Sequence, residues 1–343
     1  MNFKKIFYFV CPILLVFCFV LILICHRLYV KEQWLLADYT TEKLPQIVCY
    51  GDSLTFGTGG VEDDGTTYPG VLEELLEQNH LNIPVINYGI GGDNTVTIAG
   101  RTGGIPFRVN AFTIPEQTEP VEITFLPSDG QTLRIDHSLE YGGAGLNDCT
   151  ILGVKGRITL CKDNDISHYF FTRNETGAEI TVPSGTQVTA AAASENKDAI
   201  FIIWMGENLG YSDNENLIDQ YNAILSLQDK HAGEFIVIGL TSGTASERAD
   251  LENAMNTAFG EKYINLREIL STEGLAMAGI PPTSEDETQT SLGCVPPSLL
   301  YDGIHFNSDG YRVIGQIVYE RLLSLGYLDE LIDKTDLHIH WWK

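Results

Sequence analysis

The sequence contains few basic residues. Its 343 residues include 21 Lys and Arg side chains against 46 Asp and Glu side chains, so the formal net charge is −25 at pH 7. A chain with this charge is repelled by nucleic acid and by anionic lipid surfaces, since both are polyanions. The composition therefore predicts no nucleic-acid partner. It also argues against a phosphate-rich substrate, unless a local basic pocket overrides the average.

Cysteine is also scarce, and its spacing is irregular. The sequence has 7 cysteines, which are Cys11, Cys18 and Cys25 in an N-terminal apolar segment and Cys49, Cys149, Cys161 and Cys294 elsewhere. The later four fit neither a disulfide framework nor a zinc site. A single Cys149–Cys161 disulfide is the alternative that the spacing leaves open. Two histidines near the C-terminus, His338 and His340, lack further ligands at suitable spacing. We therefore predict no metal and no cofactor.

Long apolar runs are absent from all but the N-terminus. Residues 6–25 contain no charged side chain, and Lys5 and Arg27 flank them. A helix of about 20 apolar residues spans one bilayer. Residues 1–28 are therefore predicted to form a signal anchor. A cleaved signal peptide is the alternative, but the segment lacks a small residue at the expected cleavage position. A linker, residues 29–44, is predicted to follow.

Apolar strands alternate with amphipathic helices in two parts of the chain. The predicted strands are 46–50, 84–87, 199–204 and 235–240, and the predicted helices lie near 68–79, 215–230, 246–259 and 309–325. Continuous apolar strands are typical of a parallel sheet that is covered by helices on both faces. The pattern predicts an α/β fold, formed by residues 45–105 and 197–328 and followed by a C-terminal tail, residues 329–343.

The middle of the chain has a different pattern. Short alternating runs are separated by turn sequences such as Ser128-Asp129-Gly130, and no helical period runs through them. We predict that residues 106–196 form an inserted all-β domain, a small sandwich or barrel. The sequence leaves open whether this domain covers the functional site, binds substrate or acts as a spacer.

Four short motifs stand at the ends of predicted strands or in the loops that follow. In chain order they are Gly51-Asp52-Ser53-Leu54, Asn87-Tyr88-Gly89-Ile90-Gly91-Gly92, Gly206-Glu207-Asn208 and Asp302-Gly303-Ile304-His305. Open α/β sheets bind ligands at the carboxyl ends of their strands. Each motif alone also has an ordinary explanation as a turn, a helix cap or a surface loop.

Together the motifs contain the groups that a serine hydrolase needs. A serine hydroxyl is a weak nucleophile, so Ser53 requires a base. His305 can take the proton, and Asp302 can hold the imidazole in the correct tautomer. Charge that develops on the substrate oxygen requires hydrogen-bond donors. The backbone N–H groups of Ser53 and Gly92 and the side-chain amide of Asn208 are candidates for this oxyanion hole.

In their order and residues, these motifs resemble those of the SGNH/GDSL hydrolase superfamily of serine esterases and lipases. The resemblance covers about residues 46–100 and 199–326. It implies a three-layer α/β/α flavodoxin-like sandwich. The positions that match the functional residues of the superfamily are Ser53, Gly92, Asn208, Asp302 and His305.

Two further residues concern the substrate. Arg101 lies among glycines after the second motif and is a candidate for substrate binding, by pairing with a carboxylate. A surface or domain-junction arginine is the alternative. Leu209 follows Asn208 at a position where many members of the superfamily have aspartate, which affects local geometry and the fit of the substrate.

The resemblance implies a carboxylic ester hydrolase that forms an acyl-enzyme on Ser53. Basic residues flank both ends of the apolar segment, so charge does not decide its orientation. An anchor and an inserted β domain favour an extracellular polymer as substrate. We therefore expect a single-pass cell-membrane protein whose extracellular domain removes acetyl groups from cell-wall or other carbohydrate. The alternatives are an O-acyltransferase to a sugar hydroxyl, and a carbohydrate-binding surface protein with a vestigial site.

Overall fold

The computed structural model describes residues 26–27, 45–139, 142–164, 166–194 and 197–329. The predicted membrane segment, residues 6–25, lies outside the described residues, as do the linker and nearly all of the C-terminal tail. Within the described ranges, no helix has the length and apolarity needed to cross a bilayer.

The strands of the described part differ widely in length. In chain order they are β1 (Gln46–Gly51), β2 (Val85–Gly89), β3 (Phe107–Val109), β4 (Phe112–Ile114), β5 (Val121–Ile123), β6 (Cys149–Ile151), β7 (Val154–Asp163), β8 (Ile166–Arg173), β9 (Ile180–Val182), β10 (Thr186–Thr189), β11 (Ala199–Trp204), β12 (Phe235–Ile238) and β13 (Tyr263–Ile264).

The helices fall before and after the β-rich middle of the chain. In chain order they are α1 (Ser53–Phe56), α2 (Gly60–Asp63), α3 (Tyr68–Gln78), α4 (Thr95–Thr102), α5 (Asn214–Leu225), α6 (Ala245–Phe259), α7 (Leu266–Ile269), α8 (Leu275–Ala278), α9 (Ser284–Ser291) and α10 (Ser308–Ser324). A π-helical turn, Leu270–Gly274, joins α7 to α8.

A parallel sheet forms the centre of the fold. Its strand order is β13-β12-β11-β1-β2, and each neighbouring pair is parallel. The chain passes from β1 to β2 on one side and later to β11 on the other, so the strand order reverses between β1 and β11. Ligands of open α/β sheets bind at such a switch point. Gly51 and Trp204, the last residues of β1 and β11, are paired there.

Helices cover both faces of this sheet. On one face, Phe201 and Ile203 of β11 belong to a buried cluster with Leu217 and Tyr221 of α5. On the other face, the Trp204 ring packs against Tyr68 of α3, with 5.8 Å between centroids. Because both faces are buried, the central strand β11 is apolar along its whole length, and β1 is apolar after Gln46. The predicted α/β fold with a parallel sheet is confirmed.

The middle of the chain forms antiparallel sheets with a core of their own. One sheet has the order β3-β10-β6-β7-β8-β5, and β4 pairs with β9 in a second. Phe107, Ile151, Phe171 and Val188 are buried in this core. The β-rich character predicted for this segment is confirmed.

The cysteines of the described part are free thiols. Cys149 is buried in β6, whereas Cys161 is exposed in β7. In the β6–β7 ladder Cys149 is paired with Gly156, and in the β7–β8 ladder Cys161 is paired with His168. The sequence left open a disulfide between Cys149 and Cys161. The structure has no such bond, and the two residues are separate thiols.

Polar contacts join the β-rich segment to the parallel-sheet part. They involve residues 129–139 and 142–144, which we call the junction strip. The hydrogen bonds run from Ser138 Oγ to Asp93 Oδ1 (2.7 Å), from Asn94 Nδ2 to Thr132 O (2.9 Å), from Arg134 N to Thr97 Oγ1 (2.8 Å) and from Gln220 Nε2 to Asp129 Oδ2 (3.0 Å). The junction strip thus contacts α5, and it contacts α4 together with Asp93 and Asn94, which directly follow the second motif. The described residues from Pro45 onward form one compact unit.

Candidate active site

Ser53 is the first residue of α1 and follows β1 by a sharp turn. A Cβ added at Gly51 would lie 2.0 Å from Thr55 Oγ1 and 2.5 Å from Trp204 O, so no larger residue fits there. The Asp52 side chain caps α1 by accepting a hydrogen bond from Leu54 N at 3.0 Å. The turn therefore holds Ser53 at the carboxyl end of the sheet, beside the switch point.

The second motif supports this turn. Asn87 Nδ2 donates a hydrogen bond to Phe56 O at the end of α1, at 3.3 Å, and Asn87 Oδ1 accepts one from Gly89 N at 2.9 Å. Asn87 therefore ties the end of β2 to the turn that carries Ser53. The position of Asn87 in the motif did not by itself indicate this contact with the end of α1.

The side chains of Ser53, His305 and Asp302 form a continuous chain of hydrogen bonds. His305 Nε2 lies 2.8 Å from Ser53 Oγ, and His305 Nδ1 lies 2.7 Å from Asp302 Oδ2. The two contacts use opposite ring nitrogens, as a base and its orienting carboxylate require. The site is open to solvent, because the His305 side chain is 20% exposed and the Asp302 side chain is 44% exposed.

Asp302 fixes both the backbone and the side chain of the residue it orients. Its Oδ1 accepts hydrogen bonds from Ile304 N at 3.1 Å and from His305 N at 2.9 Å. Partial burial raises the pKa of Asp302, but the hydrogen bonds from the His305 side chain and from the two backbone N–H groups outweigh it. The pKa is therefore held below its ordinary value. Asp302 thus stays ionised where it faces the imidazole.

The candidate oxyanion donors lie around Ser53. A Cβ added at Gly91 would lie 3.9 Å from Ser53 Cβ, so the second motif turns beside Ser53. Gly92 has a φ of +81°, which favours glycine. Within the described residues, neither the Ser53 N–H nor the Gly92 N–H has a hydrogen-bond acceptor. Asn208 Nδ2 donates one hydrogen bond to Asp93 O at 3.1 Å, which leaves its second N–H free.

The third motif is held by its glutamate. Glu207 Oε1 accepts hydrogen bonds from Thr241 N at 2.6 Å and from Ser242 N at 3.1 Å, in the loop after β12. Leu209, by contrast, has a φ of +60° and is 62% exposed. The loop is therefore anchored on one side of Asn208 and presents an apolar side chain on the other.

Arg101 lies beneath the site and does not face a substrate. Its side chain is fully buried, and its Nε donates to Asp93 Oδ2 at 2.8 Å. Its Nη2 donates to Gly51 O and to Tyr88 O, both at 2.7 Å, and its Nη1 donates to Ala144 O at 3.1 Å. The guanidinium therefore ties together the ends of β1 and β2 and the junction strip. The predicted substrate-binding role of Arg101 is corrected to a structural one, because its donors are turned inward and occupied.

Asp52 is an unusual carboxyl group, since it lies next to Ser53 but is buried. Burial raises the pKa of Asp52 to about 7, although the hydrogen bond from Leu54 N–H acts in the opposite direction. Its Oδ2 has no hydrogen-bond partner within the described part of the chain. The group therefore changes its charge near neutral pH.

Exposed apolar side chains adjoin the candidate catalytic residues in the third and fourth motifs. Leu209, Tyr301 and Ile304 are 62%, 56% and 52% exposed, and we call them the apolar rim. Ile304 directly precedes His305, and Tyr301 N donates to His305 O at 2.8 Å. Leu209 directly follows Asn208. The apolar rim is therefore fixed to the loops that carry the candidate catalytic residues.

The junction strip adds a histidine that sequence analysis did not identify. A Cβ added at Gly92 would lie 3.2 Å from His137 Cδ2 and 3.6 Å from His137 Nε2. The residue lies in a 3₁₀ turn, His137–Leu139, and is exposed. No local signal in the sequence marks it, because it lies far along the chain from every motif. Among the described residues, no group of His, Cys, Asp and Glu side chains could hold a metal ion.

Comparisons with known proteins give little information about the function of this site. No protein-family model matches the chain, and no curated protein matches it. A solved structure described as "Peptidoglycan O-acetylesterase in action, 5 min" covers 85% of this chain and 93% of its own chain, at 10% sequence identity and a TM-score of 0.33. Similarity at this TM-score supports no conclusion about the activity of the present chain.

Proposed function

We propose that this protein is a carboxylic ester hydrolase of the SGNH/GDSL type that removes acetyl groups through an acyl-enzyme on Ser53. The observation that carries the proposal is the chain of hydrogen bonds from Ser53 Oγ through His305 to Asp302, at 2.8 and 2.7 Å. Ser53 is distant along the chain from Asp302 and His305, which share one short motif, and the two parts meet at the switch point of the sheet. The sheet itself has the flavodoxin-like order 2-1-3-4-5 when its parallel strands are numbered along the chain.

The geometry accounts for each proton in the proposed reaction. Ser53 Oγ attacks the carbonyl carbon while its proton passes to His305 Nε2, and Asp302 stabilises the imidazolium. The negative charge on the carbonyl oxygen is stabilised by the free N–H groups of Ser53, Gly92 and Asn208. The intermediate collapses, and His305 gives its proton to the departing alcohol. A water molecule then attacks the acyl-enzyme with His305 again acting as base, and this releases acetate and Ser53.

Hydrolysis is favoured over transfer to a sugar because the site is open. An acyltransferase must keep water away from its acyl-enzyme, whereas the side chains of His305 and Asp302 are partly exposed here. A binding protein with a vestigial site is disfavoured, since loss of function would leave no pressure to hold the two ring nitrogens of His305 within 2.8 Å of their partners.

For the substrate we propose acetylated carbohydrate at the cell surface, with residues 6–25 as the membrane anchor. The β-rich segment and the apolar rim support an extended substrate with apolar faces. Fractionation of cells that express the full chain, followed by protease treatment of intact cells, tests the location. Protection of the catalytic part from external protease would contradict an extracellular site.

Turnover of p-nitrophenyl acetate by the full-length protein tests the chemistry. We expect hydrolysis, covalent labelling of Ser53 by a serine-reactive phosphonate, and loss of both in Ser53→Ala. Ser291→Ala is the matched control, because Ser291 is an exposed serine of α9 whose hydroxyl bonds only within its own helix, to Thr288 O. Labelling that persists in Ser53→Ala would refute the proposed nucleophile.

A further inference from the structure

The backbone of His137 is held from two sides. On its N-terminal side, Asp136 accepts hydrogen bonds from Tyr169 Oη at 2.6 Å and from Ser167 Oγ at 3.0 Å, both in β8. On its C-terminal side, Ser138 Oγ donates to Asp93 Oδ1 at 2.7 Å. One neighbour is therefore fixed to the antiparallel sheet and the other to the loop after Gly92. The backbone at His137 is therefore held in place beside the loop after Gly92.

The His137 imidazole itself has no hydrogen bond within the described residues. It is exposed, and its Cδ2–Nε2 edge lies against Gly92, whose backbone N–H is a candidate oxyanion donor. A neutral imidazole offers one donor and one acceptor. Both are free beside the site, while the neighbouring residues use their polar groups to fix the loop. In binding sites, a residue that contacts a ligand is often supported in this way by neighbours that hold the backbone.

We infer that His137 is a substrate-contacting residue through which the β-rich segment hydrogen-bonds a hydroxyl group of the alcohol part of the ester. This inference rests on the proposed function. The acetyl group has no hydroxyl, so the contact is with the part of the substrate that leaves first. His137 forms the polar border of the site on the Gly92 side, and the apolar rim borders the loops of Asn208 and His305.

A sugar ring fits this arrangement of borders. Its faces carry C–H groups, which pack against apolar and aromatic side chains such as Tyr301, and its edge carries hydroxyl groups, which need a polar partner. A plain alkyl ester would use the apolar rim but would leave His137 without a partner. His137 therefore contributes to the choice of a polyhydroxylated alcohol over an apolar one.

The test compares two acetate esters with six-membered rings, a monoacetylated methyl glucoside and cyclohexyl acetate. Because a site that hydrogen-bonds a substrate hydroxyl discriminates against the analogue without it, we expect a preference for the glucoside in the native protein. His137→Ala should lower this ratio of kcat/KM values by about 10-fold, and His137→Gln should restore part of it. An unchanged ratio in His137→Ala would overturn the inference, as would a native protein without any preference for the glucoside.

The matched control is His168→Ala. His168 is an exposed histidine of β8 whose Nδ1 pairs with Glu122 at 2.7 Å, and its loss should leave the ratio unchanged. The mode of binding is tested separately in Ser53→Ala protein, in which His137→Ala should weaken binding of the glucoside measured by calorimetry. Failure of the proposed function is distinguishable, because it appears as absent phosphonate labelling of Ser53, whereas failure of this inference leaves labelling intact and binding unchanged.

Discussion

Replacement of Arg101 by methionine tests how the site is supported. Arg101 is fully buried and donates to Asp93 and to three backbone carbonyl groups, which belong to Gly51, Tyr88 and Ala144. Methionine retains most of the side-chain volume but removes the charge and every donor. The substitution therefore leaves a buried carboxylate without its counter-charge.

The expected cost follows from these contacts. Removal of one partner from a buried ion pair destabilises a protein by about 3–5 kcal/mol. Domains are stable by only about 5–15 kcal/mol, so Arg101→Met should lose a large share of the free energy of unfolding. Lysine should not rescue it, because a single ammonium group cannot reach acceptors on β1, β2 and the junction strip in the planar arrangement that guanidinium provides.

Urea unfolding followed by circular dichroism measures this cost. Arg157→Met is the matched control, since Arg157 and Asp148 form an exposed pair at 3.6 Å and its loss should cost less than about 0.5 kcal/mol. In a double-mutant cycle, Asp93→Asn together with Arg101→Met should cost less than the sum of the single changes. A cost below about 1 kcal/mol for Arg101→Met, or additive single changes, would refute the role of Arg101 as a buried support.

The pH dependence gives a second check. Burial raises the pKa of Asp93 above its ordinary value even with the Arg101 guanidinium beside it. Without that guanidinium the pKa rises further, so Asp93 avoids an unpaired charge by holding its proton at low pH. The cost of Arg101→Met should therefore be smaller at pH 5 than at pH 8. An equal cost at both pH values would mean that the lost hydrogen bonds, and not the charge, dominate.

Three further changes test the site directly. His305→Ala should lower kcat on p-nitrophenyl acetate by about 10³-fold or more, as Ser53→Ala should, because triad members act as a unit; a loss below about 10-fold would rule out His305 as the base. Asn208→Ala should lower kcat by about 10²–10³-fold with little change in KM, and an effect on KM alone would make it a binding residue. Asp52→Asn should stabilise the protein at pH 8 by on the order of 4 kcal/mol, since burial raises the pKa of Asp52 from 3.8 to about 7. At about pH 3 the Asp52 carboxyl group is mostly protonated in both the folded and the unfolded protein, so this gain should largely vanish there; urea midpoints that shift equally at about pH 3 and pH 8 would contradict it.

The parallel sheet was predictable because its signal is local. Strands such as β11, Ala199–Trp204, are apolar along their whole length, and only a strand buried on both faces is expected to be so. The surface helices were predictable for a similar reason, since α3, α5, α6 and α10 have one apolar side. Their observed bounds differ from the predicted ones by five residues at most.

Helix α4 was not predicted, and its burial explains why. All residues of Thr95–Thr102 are buried, because one side packs on the parallel-sheet part and the other meets the junction strip. A helix that is buried all round lacks the polar face that makes a helical period visible. The signal that could have found it is its cap, since Asn94 Oδ1 accepts a hydrogen bond from Thr97 N at 3.2 Å.

The same helix explains the wrong prediction for Arg101. The glycines around Arg101 indicate that a backbone is closely approached there. In the fold, a Cβ added at Gly100 would lie 2.2 Å from the Phe107 ring, so this glycine makes room for the core of the β-rich segment. Gly103, with a φ of +93°, ends the helix. The sequence does not show which group approaches this backbone, and here it is the Phe107 ring.

Asp93 joins the parts of the site that sequence treats as separate. Its carboxylate accepts hydrogen bonds from Arg101 Nε and, across the junction, from Ser138 Oγ. Its backbone carbonyl accepts the Asn208 Nδ2 donor of the third motif, and it directly follows Gly92 of the second. A change in the junction strip therefore reaches the candidate oxyanion donors through a single residue. Ser138 adjoins His137, so the β-rich segment contributes both the proposed substrate contact of His137 and the hydrogen bond that holds Asp93 beside the candidate oxyanion donors. A spacer between two halves of a hydrolase would contribute neither.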